Sequence, residues 1–432
     1  MHSITVWKLA RRPNYNTNIN HIYPYSEVPY IGEYNLVRLP LSSTNLIDHV
    51  DYWGEGKIES GAGVSGFANC YNVNHQYQLV SNGPDKDRKI PNRIPVISYT
   101  NCNTASYIKD NSVKLVTLMG APINKSCAQD IARMVKFETG SVVVFGFEDT
   151  QADIKNLNEE LPMKGLLHCH GYQLPEKLQG LTLFGDNSHR AYINITEMGE
   201  ELRKRVVAGN YDSAVNLSLT LDGSGNGSAI SDVVRKLLEK GVKNTMEFAY
   251  KLWNSSNEMI TKYFPVAFKL IFKSSFVKIM GKKNFKAVKL NANPDKNAIK
   301  NTFAWCDSKD NTSSAVRWEL YPIWEHDKVF FKIKNTEEKL FLKIDDNDEN
   351  GNRKVWGSED SNDLQYQWAL EPFKVDDDLL FHIVDRKFNY KWKADISPES
   401  YLYGSADDKE LDDFKWFIAP WQQEQSIMYF IK

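Results

Sequence analysis

Three segments near the C-terminal end of the chain share one pattern of apolar and polar positions. Each carries a tryptophan inside a short alternating stretch, and these residues, Trp318, Trp368 and Trp416, lie 50 and 48 residues apart. Short strands bounded by Asn, Asp and Gly turns, repeated at a period near 50, predict an all-β unit. Three such repeats are fewer than the blades of a propeller. We therefore predict a β-trefoil over residues 281–432, with the three tryptophans in its core.

Two further elements recur in register with the tryptophans. The alternating stretch 329–335 is matched by 379–385, and an aromatic followed by a turn recurs at Trp305, Trp356 and Tyr403. Alternation with a period of two is the pattern of half-buried strands. The repeat therefore comprises several strands and not a single motif.

Residues 197–280 change to a helical period. Apolar residues at positions 230, 233, 234, 237 and 238 form one stripe that ends at Gly241, as expected for an amphipathic helix. Further helices are predicted over 244–253 and over 266–280, the latter beginning after Pro265. We predict a central α-helical domain over residues 197–280.

The preceding part of the chain alternates between strand and helix patterns. Apolar runs at 114–119 and 141–147 predict strands, and amphipathic stretches at 126–135 and 151–161 predict helices. Strand–helix–strand–helix order favours a parallel α/β layer. We predict a Rossmann-like α/β extension over residues 1–195 in a multidomain chain.

Charge and composition exclude some partners. The chain has 53 basic and 55 acidic residues, a net charge of −2, and its five cysteines are scattered without a Cys-x-x-Cys pair. This balance gives no reason to expect nucleic acid as a partner, and no run reaches the roughly 18 apolar residues of a membrane span. His168 and His170 share one face of a strand, but no second cluster completes a zinc site, so no metal is expected.

Several motifs resemble the low-molecular-mass lipoproteins of lepidopteran haemolymph, a group that includes microvitellogenin. They are Tyr211-Asp212-Ser213-Ala214-Val215, Thr245-Met246-Glu247-Phe248-Ala249-Tyr250, Phe264-Pro265-Val266-Ala267-Phe268 and Arg317-Trp318-Glu319-Leu320. The resemblance covers about residues 197–432. It implies a helical domain packed on a β-trefoil, and a secreted storage protein that binds lipid or sugar. Because the first residues lack the apolar core of a signal peptide, a cytoplasmic location is the alternative.

Residues 1–195 are similar to the S-adenosylmethionine-dependent methyltransferase fold in a degenerate form. Gly61, Gly63 and Gly66 lie where that fold has its cofactor loop, and Asn74 stands where an acidic residue would hold the ribose. Asn holds a diol less well than a carboxylate does, and a lone glycine pattern is weak. No cofactor is therefore expected, with S-adenosylmethionine as the alternative.

Three functions follow from these patterns. The first is a non-enzymatic storage or binding protein for lipid or carbohydrate, with the α/β extension in regulation or assembly. For a sugar ligand we predict stacking on Trp324, Trp392 and Tyr401, which lie outside the repeated core positions. The second is a methyltransferase-like enzyme with the trefoil as its lectin module, and the third is a toxin-like defence effector. No catalytic residue is predicted, and the oligomeric state is left open.

Overall fold

The structure is a computed structural model that describes most of the chain beyond residue 48. The described residues are 49–52, 71–75, 93–96, 104–105, 108–119, 123–137, 139–145, 151–179, 188–273, 275–290, 302–307, 313–346, 351–394, 401–407 and 411–421. They fall into two compact units, Met1–Met198 and Gly199–Lys432. Among the described helices, none is long and apolar enough to cross a membrane.

Within the described residues, the first unit is built on a mixed sheet of seven strands. The strands are β1 (Val50–Tyr52), β2 (Tyr71–His75), β3 (Arg93–Val96), β4 (Leu115–Met119), β5 (Ser141–Phe145), β6 (Leu166–His168) and β7 (His189–Asn194). Their order in the sheet is β3-β2-β1-β4-β5-β7-β6. Strands β1 to β5 pair in parallel, whereas β7 is antiparallel to both β5 and β6.

Two helices of this unit follow β4 and β5, namely α1 (Lys125–Met134) and α2 (Gln151–Glu160). The Asn124 side chain caps α1 by accepting a hydrogen bond from the Cys127 amide at 2.9 Å. The apolar face of α1, including Ile131, packs with Val116 and Val142 of the central strands in one fully buried cluster. Burial of continuous apolar strands under helices is what a parallel sheet requires.

The second unit begins with six helices. They are α3 (Ile195–Val207), which starts in the first unit, α4 (Tyr211–Gly223), α5 (Gly227–Glu239), α6 (Thr245–Ser255), α7 (Asn257–Tyr263) and α8 (Val266–Phe272). The predicted stripe of α5 is buried, with Ile230 and Leu237 inaccessible to solvent. Pro265 is the N-cap of α8. The long predicted helix over 266–280 ends instead at Phe272, and Val277 already lies in a strand.

Twelve strands complete the unit. They are β8 (Val277–Gly281), β9 (Ala287–Leu290), β10 (Thr302–Asp307), β11 (Trp318–Glu325), β12 (Lys328–Asn335), β13 (Phe341–Ile344), β14 (Asn352–Ser358), β15 (Trp368–Val375), β16 (Asp378–Asp385), β17 (Lys391–Ala394), β18 (Leu402–Ser405) and β19 (Trp416–Pro420).

These strands form a closed β-barrel, which corrects the β-trefoil predicted for residues 281–432. A circuit of hydrogen-bonded strands runs β8-β11-β12-β15-β16-β17-β18-β14-β10-β9 and returns to β8. All twelve strands therefore belong to one continuous sheet. The prediction was wrong because the period of a repeat shows how many repeats there are and which side chains face inward. It does not show which distant strands pair, and closure of the barrel depends on that pairing.

The threefold recurrence of tryptophan is nevertheless a feature of the core. Trp318, Trp368 and Trp416 are fully buried, and each follows a single turn of 3-10 helix. Each indole N–H donates to a backbone carbonyl of a preceding strand, at 2.8, 3.1 and 3.2 Å. Pairing the buried indole donor removes the cost of leaving it without a partner.

Candidate functional site

An open cleft of about 430 Å³ lies between the helices and the barrel of the second unit. Three parts of the chain line it: helix α5, the segment joining α7 to α8, and the hairpin of β15 and β16. The lining residues are Ser231, Val234, Arg235, Leu238, Tyr263, Phe264, Pro265, Val266, Ala267, Lys374, Asp377 and Leu379. The cleft therefore has an apolar floor supplied by elements distant in sequence.

Local sequence explains why apolar surface is left uncovered there. Val234 and Leu238 are one turn apart on α5, with 2% of each accessible. The next wall begins at Pro265, which ends one helix and starts another, so that Val266 at the head of α8 has no helix packed over it. Val266 is 49% exposed. A β-branched apolar side chain at this exposure leaves the mouth of the cleft apolar.

The rim of the cleft is charged. Arg235 pairs with Asp232 at 2.5 Å and with Glu239 at 2.8 Å, and Lys374 lies 3.7 Å from Asp377. Such exposed pairs are weak, so the two cations remain available to an anionic group. The apolar floor and the charged rim together suit an amphipathic molecule.

Tyr263 forms one wall of the cleft and is held from two sides. Its hydroxyl donates to the Asp222 carboxylate, and this bond raises the pKa of Tyr263. Gly227 lies against the tyrosine ring, where any Cβ would collide with it. The absence of a side chain at residue 227 is thus what allows the ring to occupy this position.

Of the residues predicted to bind a ligand, Trp324 lies at an aromatic junction between helices and barrel. Its indole stacks on Tyr250 of α6, meets the edge of Tyr211 of α4, and has Lys251 Nζ 4.8 Å from its ring centre. The Trp324 side chain is half-buried. Tyr250 covers one face of the Trp324 ring, so a sugar could stack only on the other face.

Trp392 and Tyr401 occupy different environments. Trp392 is fully buried and packs edge-on against Trp368 and Trp416, with ring centres 5.2 and 5.7 Å apart. Tyr401 is half-buried on the outside of the barrel beside Trp305. The structure therefore does not bring the three predicted residues together, and the Trp392 side chain is inaccessible to solvent.

The predicted cofactor loop, Gly61, Gly63 and Gly66, lies outside the described residues. Asn74 is in strand β2, opposite Pro95 of β3. The two histidines of the weighed metal pair, His168 and His170, have ring centres 6.3 Å apart, and burial lowers the pKa of His168 to about 4. Across the described ranges, no three His, Cys, Asp or Glu side chains are grouped to hold a metal.

A second, polar pocket of about 290 Å³ lies where the loop after α5 meets the barrel. It is lined by Lys243, Glu371, Val384, Asn389, Lys391, Ser405, Ala406 and Asp407. Lys243 Nζ pairs with Glu371 across it at 2.8 Å. The pocket offers both hydrogen-bond donors and acceptors, which suits a small polar molecule.

Sequence reasoning identified neither the cleft nor the polar pocket. The stripe of α5 predicts only an amphipathic helix, although a further signal lies in the five consecutive apolar residues 264–268. Consecutive residues at the start of a helix point in different directions, so some of these apolar side chains must face solvent. Recognising the cleft required knowing that Leu379, more than a hundred residues later, lies opposite.

Comparisons with known proteins place residues 196–401 in the family model of the lepidopteran low molecular weight (30 kD) lipoprotein. The low molecular mass lipoprotein PBMHPC-23 of Bombyx mori is 34% identical over 240 residues, covering 52% of this chain and 88% of that protein. Microvitellogenin of Manduca sexta is 31% identical over 203 residues, covering 46% and 81%. The family match begins at residue 196, so it lends no support to the methyltransferase resemblance.

Among solved structures, a designed threefold symmetric protein, ThreeFoil, is 12% identical and is matched over 97% of its own length and 33% of this chain. Its TM-score is 0.28. A salivary protein from Culex quiquefasciatus has the same score at 15% identity, covering 34% of this chain and 94% of that one. These scores are too low to support an inference.

Proposed function

The chain belongs to the lepidopteran low molecular weight (30 kD) lipoprotein family, and we propose that it is a non-enzymatic protein that binds or stores an amphipathic lipid in the cleft between α5, α8 and the barrel. The observation that carries this proposal is the combination of an apolar floor with a charged rim that includes Arg235 and Lys374. The volume of the cleft, about 430 Å³, lies within the range of small-molecule sites.

A single-chain anionic lipid such as a fatty acid fits this chemistry. Its hydrocarbon would cover Val234, Leu238 and Val266, and each buried CH₂ contributes about 0.8 kcal/mol. Its carboxylate would lie at the rim beside Arg235 or Lys374, where an opposite charge and the surrounding water both stabilise it. The hydrocarbon chain would thus contact the floor of the cleft, and the carboxylate would contact its rim.

Val266 provides a direct test, because Val266→Glu places a carboxylate at the mouth of the cleft without disturbing the core. Displacement of a fluorescent fatty acid by oleate should weaken by at least tenfold, since about 1.4 kcal/mol of lost affinity suffices. Val207→Glu is the matched control. Val207 is 46% exposed against 49% for Val266, and it ends α3 away from the cleft.

The head group is tested separately with Lys374→Gln. Oleate should bind this variant more weakly than it binds the parent chain, whereas oleyl alcohol, which has no charge, should bind both equally. If Val266→Glu binds oleate as tightly as Val207→Glu does, the cleft is not the lipid site. Thermal unfolding of each variant separates a loss of binding from a loss of fold.

A carbohydrate is the second candidate ligand, and the polar pocket beside Glu371 favours it. Carboxylate, amide and hydroxyl groups converge there, as they must to bond sugar hydroxyls. Saturation-transfer NMR with a panel of monosaccharides would detect occupancy, and Glu371→Gln should remove the signal. A signal that survives this substitution would direct attention to the half-buried Trp324 and Tyr401.

The wider role follows the family. We propose that the protein acts in haemolymph after secretion, and that residues 1–195 serve regulation or assembly. Fractionation of lepidopteran haemolymph with an antibody to the chain would test the first statement. Comparing oleate affinity of the full chain with that of a variant altered only within residues 1–195 would test the second.

A further inference from the structure

Each of three outer hairpins of the barrel places a lysine directly opposite an aromatic residue on the neighbouring strand. The cross-strand pairs are Lys289 with Trp305, Lys343 with Trp356, and Lys393 with Tyr403. Residues opposite each other in an antiparallel pair have Cβ atoms about 5 Å apart on the same face of the sheet. We call these six residues the aromatic–lysine face.

The six side chains point outward. Each is half-buried, whereas the residues beside them on the same strands are buried. Two of those inward neighbours, Gly357 and Gly404, leave room for the side chains of Leu290 and Ile344 beneath the sheet. Alternation of a strand's side chains therefore puts every lysine and aromatic of the set on the solvent side.

The outward rings lie close to one another where β10, β14 and β18 meet. Phe303 stacks on Trp356 with ring centres 3.6 Å apart, and Tyr401 is 5.3 Å from Phe303 and 5.2 Å from Trp305. Strand β14 pairs with both β10 and β18, and a bridge joins Trp305 to Tyr401. The aromatic side chains are thus contiguous across three repeats.

Recurrence at solvent-facing positions needs a cause outside the core. Two residues before each lysine, on the same strands, the corresponding positions hold the fully buried Ala287 and the half-buried Phe341 and Lys391, which share no chemistry. Core packing conserves inward residues between repeats, as with the three buried tryptophans. The outward pairs are retained while neighbouring positions diverge, which core packing does not explain.

We propose that the aromatic–lysine face docks on an anionic phospholipid bilayer surface. Trp and Tyr place their rings at the boundary between hydrocarbon and water, and lysine stems bury their methylenes while the ammonium reaches the headgroups. Lys289 pairs with Asp307 at 2.6 Å, whereas no carboxylate among the described residues pairs with Lys343 or Lys393. The Lys393 ammonium lies 5.6 Å from the centre of the Phe414 ring. The three lysines of the face exceed the one carboxylate, Asp307, that pairs with them, and this excess of positive charge complements anionic lipid.

A glycan fits this face less well. A sugar needs carboxylates or amides beside an exposed ring, and two carboxylates of the region already have partners. Asp307 pairs with Lys289 at 2.6 Å, and Asp345 accepts the Trp356 indole N–H at 3.2 Å. Lysine ammonium groups also lie over the rings, with Lys289 5.9 Å from the centre of Trp305. The chemistry left for a partner is cationic and aromatic.

The first test uses the full chain and vesicles of phosphatidylcholine with or without phosphatidylserine. Co-sedimentation is expected with the anionic vesicles only, and added salt should release the protein. The triple variant K289Q/K343Q/K393Q should bind about 25-fold more weakly, because Lys343 and Lys393, which have no carboxylate partner, each contribute roughly a factor of five near an anionic surface. Equal binding to neutral vesicles would overturn the electrostatic part of the proposal.

The matched control is K204Q/K240Q/K273Q. It removes the same charge from exposed lysines on the helices, and its vesicle affinity should fall by far less. If the two triple variants lose affinity equally, net charge rather than this face is responsible and the proposal fails. Circular dichroism of both variants excludes unfolding as the cause.

A second readout locates the contact. Brominated phospholipids quench tryptophan at the membrane boundary, so the full chain should be quenched on anionic vesicles. The conservative variant W305F/W356F should lose most of that quenching while still sedimenting. Undiminished quenching of W305F/W356F would overturn the proposal. So would binding to a glycan array that is lost in K289Q/K343Q/K393Q, if the parent chain does not bind vesicles. Cleft variants such as Val266→Glu should leave vesicle binding unchanged, which keeps this test independent of the proposed function.

Discussion

The Trp324 indole of β11 stacks on the Tyr250 ring of α6, with centres 5.6 Å apart and planes 14° from parallel. Lys251 lies over the same indole and Tyr211 meets its edge. One side chain of the barrel is thus in contact with two helices. The junction fixes how helices and barrel meet within the second unit, and the cleft depends on that arrangement.

We expect Trp324→Ala to lower the free energy of unfolding by about 2–3 kcal/mol, less than the roughly 3–5 kcal/mol for a fully buried aromatic residue, because Trp324 is half-buried. Trp324→Phe keeps a ring for stacking and should cost about 1 kcal/mol. Urea unfolding of the three proteins measures both values. An alanine variant as stable as the parent would mean that the stacked geometry contributes nothing.

Much of this organisation was accessible from the sequence because local patterns report burial. The strand, helix, strand and helix predicted between 114 and 161 correspond to β4, α1, β5 and α2 within two residues. The tryptophans assigned to the core by their repeat are fully buried. Periodicity indicates which side of a helix or strand faces inward, and these predictions depend on that information alone.

The features that local patterns did not reveal all depend on pairing between distant residues. The barrel closes through strands such as β10 and β14, whose pairing no local pattern encodes. Trp392 was predicted at a ligand surface because it lies outside the main repeat, yet register puts it between two other tryptophans. The lysine opposite each outer aromatic likewise becomes visible only when the hairpin register is known.

Glu247 is a buried carboxyl of α6 whose ionisation should oppose folding. Burial raises its pKa, although Lys328 Nζ at 3.7 Å acts in the other direction. Its Oε2 has no hydrogen-bond partner among the described atoms. Since the folded state binds the proton more tightly than the unfolded state, the free energy of unfolding falls as pH rises through the interval between the two pKa values.

We expect Glu247→Gln to remove this loss. Below about pH 4, where an ordinary glutamate is largely protonated, variant and parent should be equally stable, and the variant should be the more stable at neutral pH. Denaturant unfolding across this range measures the difference. The control is Glu258→Gln, since that carboxyl is 71% exposed. A parent curve parallel to that of Glu247→Gln would contradict the assignment.

Gly357 should tolerate no side chain, because a Cβ there would collide with the Leu290 side chain. We expect Gly357→Ala to lower the free energy of unfolding by about 1–3 kcal/mol through overpacking. Gly357→Ala combined with Leu290→Ala should cost less than the sum of the single changes, since the clash disappears. Gly223→Ala is the control, as nothing lies within 4 Å of its Cβ position. Strict additivity in the cycle would show that the two residues do not meet.

Trp392 and Trp416 offer a comparison of two buried indoles that differ in hydrogen bonding. The Trp416 N–H donates to the Trp392 carbonyl at 3.2 Å, whereas the Trp392 N–H has no partner in the described part of the chain. Replacing either residue by Phe removes similar volume. Only Trp416→Phe also breaks a bond and leaves a buried carbonyl without its donor.

Trp416→Phe should therefore lower the free energy of unfolding by about 1 kcal/mol or more beyond the effect of Trp392→Phe, for which losing an unpaired donor offsets part of the lost packing. Chemical unfolding measures both. Because the Trp392 ring is inaccessible, Trp392→Phe should also leave oleate and monosaccharide binding unchanged. The opposite result would be a folded Trp392→Phe protein that no longer binds its ligand. It would contradict the assignment of this ring to the core between Trp368 and Trp416.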